Sequence, residues 1–128
     1  MIDHITLHMS DAEQGIDFYT RALAPLGYIP KVRHGRTVGF GVDDGTPRSD
    51  FYVSPMENGA EAPVPTHIAF RADDEHAVRA FHEAAIAAGG IDNGGPGPRA
   101  YPPGYYAAFV PDPARHNNAA PRGPPHAH

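Results

Sequence analysis

Nine histidines and no cysteine set the chemistry open to this chain of 128 residues. Without thiolates there are no disulfides, and any metal must be held by imidazole, carboxylate, amide oxygen, phenolate or water. Two histidines stand out by their setting. His4 sits in Asp3-His4-Ile5-Thr6-Leu7 and His67 in Thr66-His67-Ile68-Ala69-Phe70, 63 residues apart, and each run leads into a helical pattern. Two neutral imidazoles facing one cavity suit Zn, Fe, Mn, Ni or Co, and water in the remaining positions would leave an open Lewis-acidic centre. The competing reading is a pair of satisfied structural histidines, which the repeat symmetry counts against. A third, oxygen ligand would come from Tyr52 or Asp50, or from Glu57 just beyond them. His8 lines the pocket or ends its strand exposed. His34, His76 and His82 read as surface or helix-face residues, and His116, His126 and His128 fall in an irregular tail.

These residues need elements to hold them. Residues 2–8 alternate, Ile5 and Leu7 on one side and His4, Thr6 and His8 on the other, as in a half-buried strand. Ser10 and Asp11 are natural helix caps, and Ile16, Phe18, Tyr19, Ala22 and Leu23 form an amphipathic stripe over residues 11–23 that stops before Pro25 and Gly27. Three extended pieces follow at 28–34, 37–42 and 50–54, separated by turn clusters, and predict an antiparallel meander.

The chain repeats itself at the offset that aligns His4 with His67. In that register Leu7 meets Phe70, Asp11 meets Asp74, Phe18 meets Phe81, Leu23 meets Ile86 and Gly27 meets Gly90. A second helix is predicted over 74–88, a strand over 105–110 and a poor strand near 116–120, weakened by Pro121, Pro124 and Pro125. One such half leaves a sheet face open, whereas two halves can share a core. The expected architecture is α+β, two βαβββ modules forming a cup-shaped mixed sheet with helices outside. His4, Thr6 and His8 would then face His67, Ala69 and Arg71. The expected domain runs over 1–121, module 1 about 1–58 and module 2 about 64–121, with 122–128 a disordered tail.

In these features the chain resembles the glyoxalase, bleomycin-resistance and extradiol-dioxygenase (vicinal oxygen chelate) superfamily. The resemblance rests on the two His-bearing strand openings, on Phe18-Tyr19, and on Tyr105-Tyr106-Ala107-Ala108-Phe109-Val110 running into Asp112-Pro113. It implies a divalent metal held by His4 and His67, a small oxygenated substrate chelated through neighbouring oxygens, and lyase, isomerase or ring-cleaving dioxygenase chemistry. It also implies a Glu ligand on the last strand, where this chain has Ala119. The rival expectation is a metal-free small-molecule binding protein of the bleomycin-resistance kind. Resistance-type members complete each other's pockets, which implies a homodimer.

Substrate contacts are expected from His8, Tyr52, Arg71, Tyr105 and Tyr106, and no catalytic base is named. Adjacent Tyr105 and Tyr106 must point to opposite faces of their strand. A net charge of -5 without a basic run argues against nucleic acid. The acidic start, with Asp3, Asp11, Glu13 and Asp17, is neither signal peptide nor membrane span, so no membrane partner and a cytoplasmic location are expected.

Overall fold

The computed structural model describes residues 1–56, 66–98, 106–114 and 116–122. Helix α1, Ala12–Leu23, starts where the Asp11 carboxylate accepts the Gln14 backbone N–H at 3.0 Å. Its Phe18, Tyr19, Ala22 and Leu23 are fully buried. A Cβ on Gly15 would run into the Met9 side chain, so glycine here lets the helix lie close on the first strand. The helix gives way to a 3-10 turn, Ala24–Leu26, and the chain reverses at Gly27 with φ 85°. Helix α2, Glu75–Ala87, repeats the design: Asp74 accepts from the Ala77 N–H at 2.7 Å, and Val78, Phe81 and Ala85 are buried.

Strand β1 (Ile5–Met9) runs parallel to β4 (Phe51–Pro55), and β4 pairs antiparallel with β3 (Thr37–Val42), which pairs with β2 (Tyr28–His34), giving the order β1-β4-β3-β2. A bulge falls between Pro30 and Val32. The second module has the same order, β5 (His67–Ala69), β8 (Asn117–Arg122), β7 (Tyr106–Pro111) and β6 (Gly97–Pro98). The fold is therefore α+β with two βαβββ modules. Strand β8, expected to fray, is paired with β7 along its length. Pro121 lacks a ladder N–H, yet its carbonyl accepts the Ala72 N–H at 3.0 Å. Arg122 belongs to this strand, and the rest of the expected tail lies outside the described residues.

The two sheets share one core on their helix side. Leu7, Met9, Val38, Phe40, Phe51 and Val53 of the first sheet join Ala108, Val110 and Ala120 of the second. Helix α1 packs against α2. Phe70, just past β5, meets Phe51 edge-on at 5.1 Å and Tyr28 at 6.1 Å. Each fully buried aromatic in this cluster contributes roughly 1.5–3 kcal/mol. Strands β1 and β5 are not hydrogen-bonded to each other among the described residues, so each module keeps its own four-stranded sheet. The faces turned away from the helices, called outer faces below, carry exposed His4, Thr6, His8, His67 and Ala69.

Candidate functional site

The outer face of the first module is built by alternation. Leu7 and Met9 point to the helices, so Thr6 and His8 point away, and the parallel register sets Thr6 beside Tyr52 and His8 beside Ser54. His4 precedes the strand. Its Nδ1 lies 2.8 Å from Asp3 Oδ2, and its side chain is 51% exposed. With Asp3 ionised, Nδ1 carries the proton and Nε2 keeps its lone pair, the orientation in which carboxylates hold metal-binding imidazoles. The hydrogen bond from His4, with the charge of Arg48, keeps the Asp3 carboxyl below its ordinary value. Tyr52 meets the His4 ring edge-on at 5.4 Å.

This geometry separates the oxygen donors that the sequence left open. Tyr52 shares the outer face with His4. Asp50 lies toward the inter-module side, where it accepts the Tyr28 hydroxyl at 2.9 Å. Glu57 lies outside the described residues, as does Tyr105. In the second module His67 is exposed and registers with Asn117, as Ala69 does with Ala119. Because Thr6 aligns with Ala69 in the repeat, Tyr52 and Ala119 are equivalent positions. Ala119 is 1% exposed, a packed methyl with no donor atom. Arg71 is exposed beyond the end of β5. Tyr106 packs against the core, on the side of β7 that carries Ala108 and Val110, so this strand turns it away from the outer face.

No group of three His, Cys, Asp or Glu side chains that could hold a metal occurs among the described residues. Within one chain the donors available are the His4 Nε2, His67 and the Tyr52 hydroxyl, on two sheets whose outer faces are not joined.

A segment that drew no notice in the sequence covers part of the first outer face. Gly39 and Gly41 alternate with core residues Val38 and Phe40, so both present bare backbone outward. A Cβ on Gly39 would lie 2.6 Å from the Tyr52 ring and 2.8 Å from Ser49 Cβ, and one on Gly41 would lie 2.7 Å from the Arg48 carbonyl oxygen. The loop after β3 therefore folds back onto the sheet beside Tyr52. It is latched by Lys31, whose side chain is only 4% exposed and whose Nζ donates to the Val42 carbonyl and to Asp44 Oδ1, both at 2.6 Å. That contact and hydrogen bonds from Thr46 hold the Asp44 carboxyl well below the usual carboxylate range. The two glycines were the available signal, since glycine inside a strand marks close approach of another backbone.

His116, expected in an irregular tail, is 1% exposed. Its Nδ1 accepts the Thr66 N–H at 2.9 Å, tying the entry of β5 to the turn before β8. Beside it Tyr19 donates to Asp112 at 2.7 Å, and Asp112 accepts backbone N–H groups of Ala114 and His116. This buried set ties α1 to the turn before β8, and the Nε2 of His116 is buried without a partner among the described residues. His82 pairs with Asp92 at 3.2 Å on the helix face, as its reading as a helix-face residue implied.

No curated protein matches the chain, but solved structures do. A glyoxalase/bleomycin resistance protein from Albidiferax ferrireducens is 27% identical, with 93% of this chain and 96% of that one covered and a TM-score of 0.80. A glyoxalase-related enzyme from Fulvimarina pelagi is 19% identical over 94% of this chain and 86% of that one, TM-score 0.73. A glyoxalase/bleomycin resistance protein/dioxygenase family enzyme from Burkholderia phytofirmans is 19% identical over 94% and 96%, TM-score 0.70. The 19% likenesses speak for the fold, and the family model gives the assignment its sequence basis. Duplicated βαβββ modules and a match over residues 1–119 together establish that the chain belongs to the Glyoxalase/Bleomycin resistance protein/Dioxygenase superfamily.

Proposed function

We propose that the chain is a metal-dependent enzyme acting on a small oxygenated substrate, and that its working site forms between two copies of the chain. The observation that carries the reading is His4: exposed, aimed by Asp3 through Nδ1, with Nε2 free beside Tyr52. In a homodimer the outer face of β1 and β4 from one copy would meet that of β5 and β8 from the other, so that His4 and Tyr52 of one chain face the equivalent of His67. A bound divalent ion, Zn, Fe, Mn, Ni or Co, would supply Lewis acidity toward oxygens that gain negative charge. The chain's own residues orient the substrate. The Tyr52 hydroxyl donates to or coordinates beside its oxygen, His8 and Arg71 offer polar and cationic contacts at the rim, and Asp3 fixes the His4 tautomer.

A second reading, a metal-free small-molecule binding protein, draws support from the methyl of Ala119 at the position equivalent to Tyr52 and from the loop laid over the first outer face. Metal analysis of protein purified without a nickel column, compared with a His4→Ala, His67→Ala double variant with both lacking residues 123–128, separates the two. Near-stoichiometric metal in the wild type that disappears in the variant supports the enzyme. No metal after loading with Zn, Fe, Mn and Ni overturns it in favour of binding alone.

A further inference from the structure

A cleft of about 280 Å³ opens where the two modules meet. Among the described residues its walls are Ile5, Tyr28, Phe51, Ile68, Ala69 and Phe70, and its charged groups are Asp3 and Asp50, with no Lys or Arg. The rings are fixed against one another: Phe70 stands edge-on to both Phe51 and Tyr28. Tyr28 donates to Asp50 Oδ2, and its hydroxyl, pushed up to about 12 by burial and by Asp50, stays protonated at neutral pH. Asp50 is thereby oriented at the cleft wall by the Tyr28 hydroxyl. Asp3 is already shared with His4 and lies near Arg48, so Asp50 is the anchor. Ile2 and Ile5 remain 79% and 37% exposed at this mouth, apolar surface that a ligand body would cover.

We propose that this cleft binds a small organic cation with an aromatic or aliphatic body. The ammonium would meet the Asp50 carboxylate, and the apolar part would pack against the partly exposed Tyr28 and Phe70 rings and Ile5, aromatic surface that favours a nearby positive charge. The volume suits a single-ring molecule and lies at the low end for ligand pockets. The lining shares Asp3 with the proposed metal site but takes in none of His8, Tyr52 or His67.

The test is an NMR titration of the full chain with 2-phenylethylammonium, its neutral counterpart 2-phenylethanol and the anion 3-phenylpropanoate. The cation is expected to shift the backbone amides of Ile5, Phe51 and Phe70, to bind about tenfold more tightly than the alcohol, and to leave the carboxylate without effect. Asp50→Asn keeps an acceptor for Tyr28 and should remove the cation's advantage. Ile2→Lys, at an exposed position that does not endanger folding, should weaken the cation alone. Protein stripped of metal by chelation should bind the cation as untreated protein does, so failure of the metal reading leaves this result intact. Equal binding of all three probes, no shift from any of them, or shifts centred on His8 and Tyr52 would overturn the proposal.

Discussion

The hydroxyl of Tyr19 is the clearest case of a residue whose work differs from its pattern. Periodicity reads Tyr19 as one more apolar position on α1, and its ring is indeed fully buried. Its oxygen donates to Asp112, 93 positions away, and lies 3.2 Å from Asn118 Oδ1. Burial first, and then the Asp112 charge, push the phenol well above its ordinary value. A proton held more tightly in the folded state stabilises the protein fully below about pH 10, the unfolded value, and that contribution is lost as pH rises through the folded value. Tyr19→Phe leaves Asp112 and Asn118 short of a partner and should cost about 1–3 kcal/mol in denaturant unfolding at pH 7. It should also flatten the loss of stability above about pH 10. An unchanged midpoint at both pH values would show that the hydroxyl contributes nothing. His116 teaches the same lesson in reverse. Set among prolines and asparagines, it reads as tail, yet Thr66 and the turn around Asp112 enclose it. Partners this distant in the chain leave no local trace, whereas the matching places of His4 and His67 in the two modules were legible because the repeat marks them.

Among the elements, both helices were readable from cap and stripe together, since Asp11 and Asp74 close the first turns that the apolar spacing requires. The meander of β2 to β4 was readable from alternation between turn clusters. The loop between β3 and β4 was not, because nothing in Asp43-Asp44-Gly45-Thr46-Pro47 states which surface it rests on. The bare strip of Gly39 and Gly41 receives it, and the Lys31 to Asp44 ion pair holds it. Gly39→Ala would force a methyl into Tyr52, Ser49 and Val32 and should cost about 1–3 kcal/mol, read as a lowered denaturation midpoint. Its Tyr52 amide and ring signals should move as well. A variant as stable as the wild type with Tyr52 signals in place would mean that the loop does not rest on the sheet. Strand β8 also exceeds its sequence promise. Pro121 suggested fraying, but a strand needs only its carbonyl on that side, and Ala72 supplies the donor.

For the whole molecule, the duplication at 63 residues made two like modules legible, and the family follows from it. The way the modules pack was not legible. The contacts that join them, Phe70 with Phe51 and Tyr28 and α1 with α2, link residues far apart in the chain. His4 and His67 lie on separate sheets, and that is the reason a site made by two copies is proposed. In an isologous pair, each site would take His4 from one chain and His67 from the other. The decisive measurement mixes His4→Ala and His67→Ala single variants in equal amounts, exchanges their subunits under mild denaturant, and reads bound Zn after free metal is removed. Mixed dimers carry one site with both histidines lost and one with both intact. The account predicts that each variant alone is empty and that the mixture recovers about a quarter of the wild-type metal. No recovery, with the wild type loaded and each variant empty, would contradict a site shared between two chains.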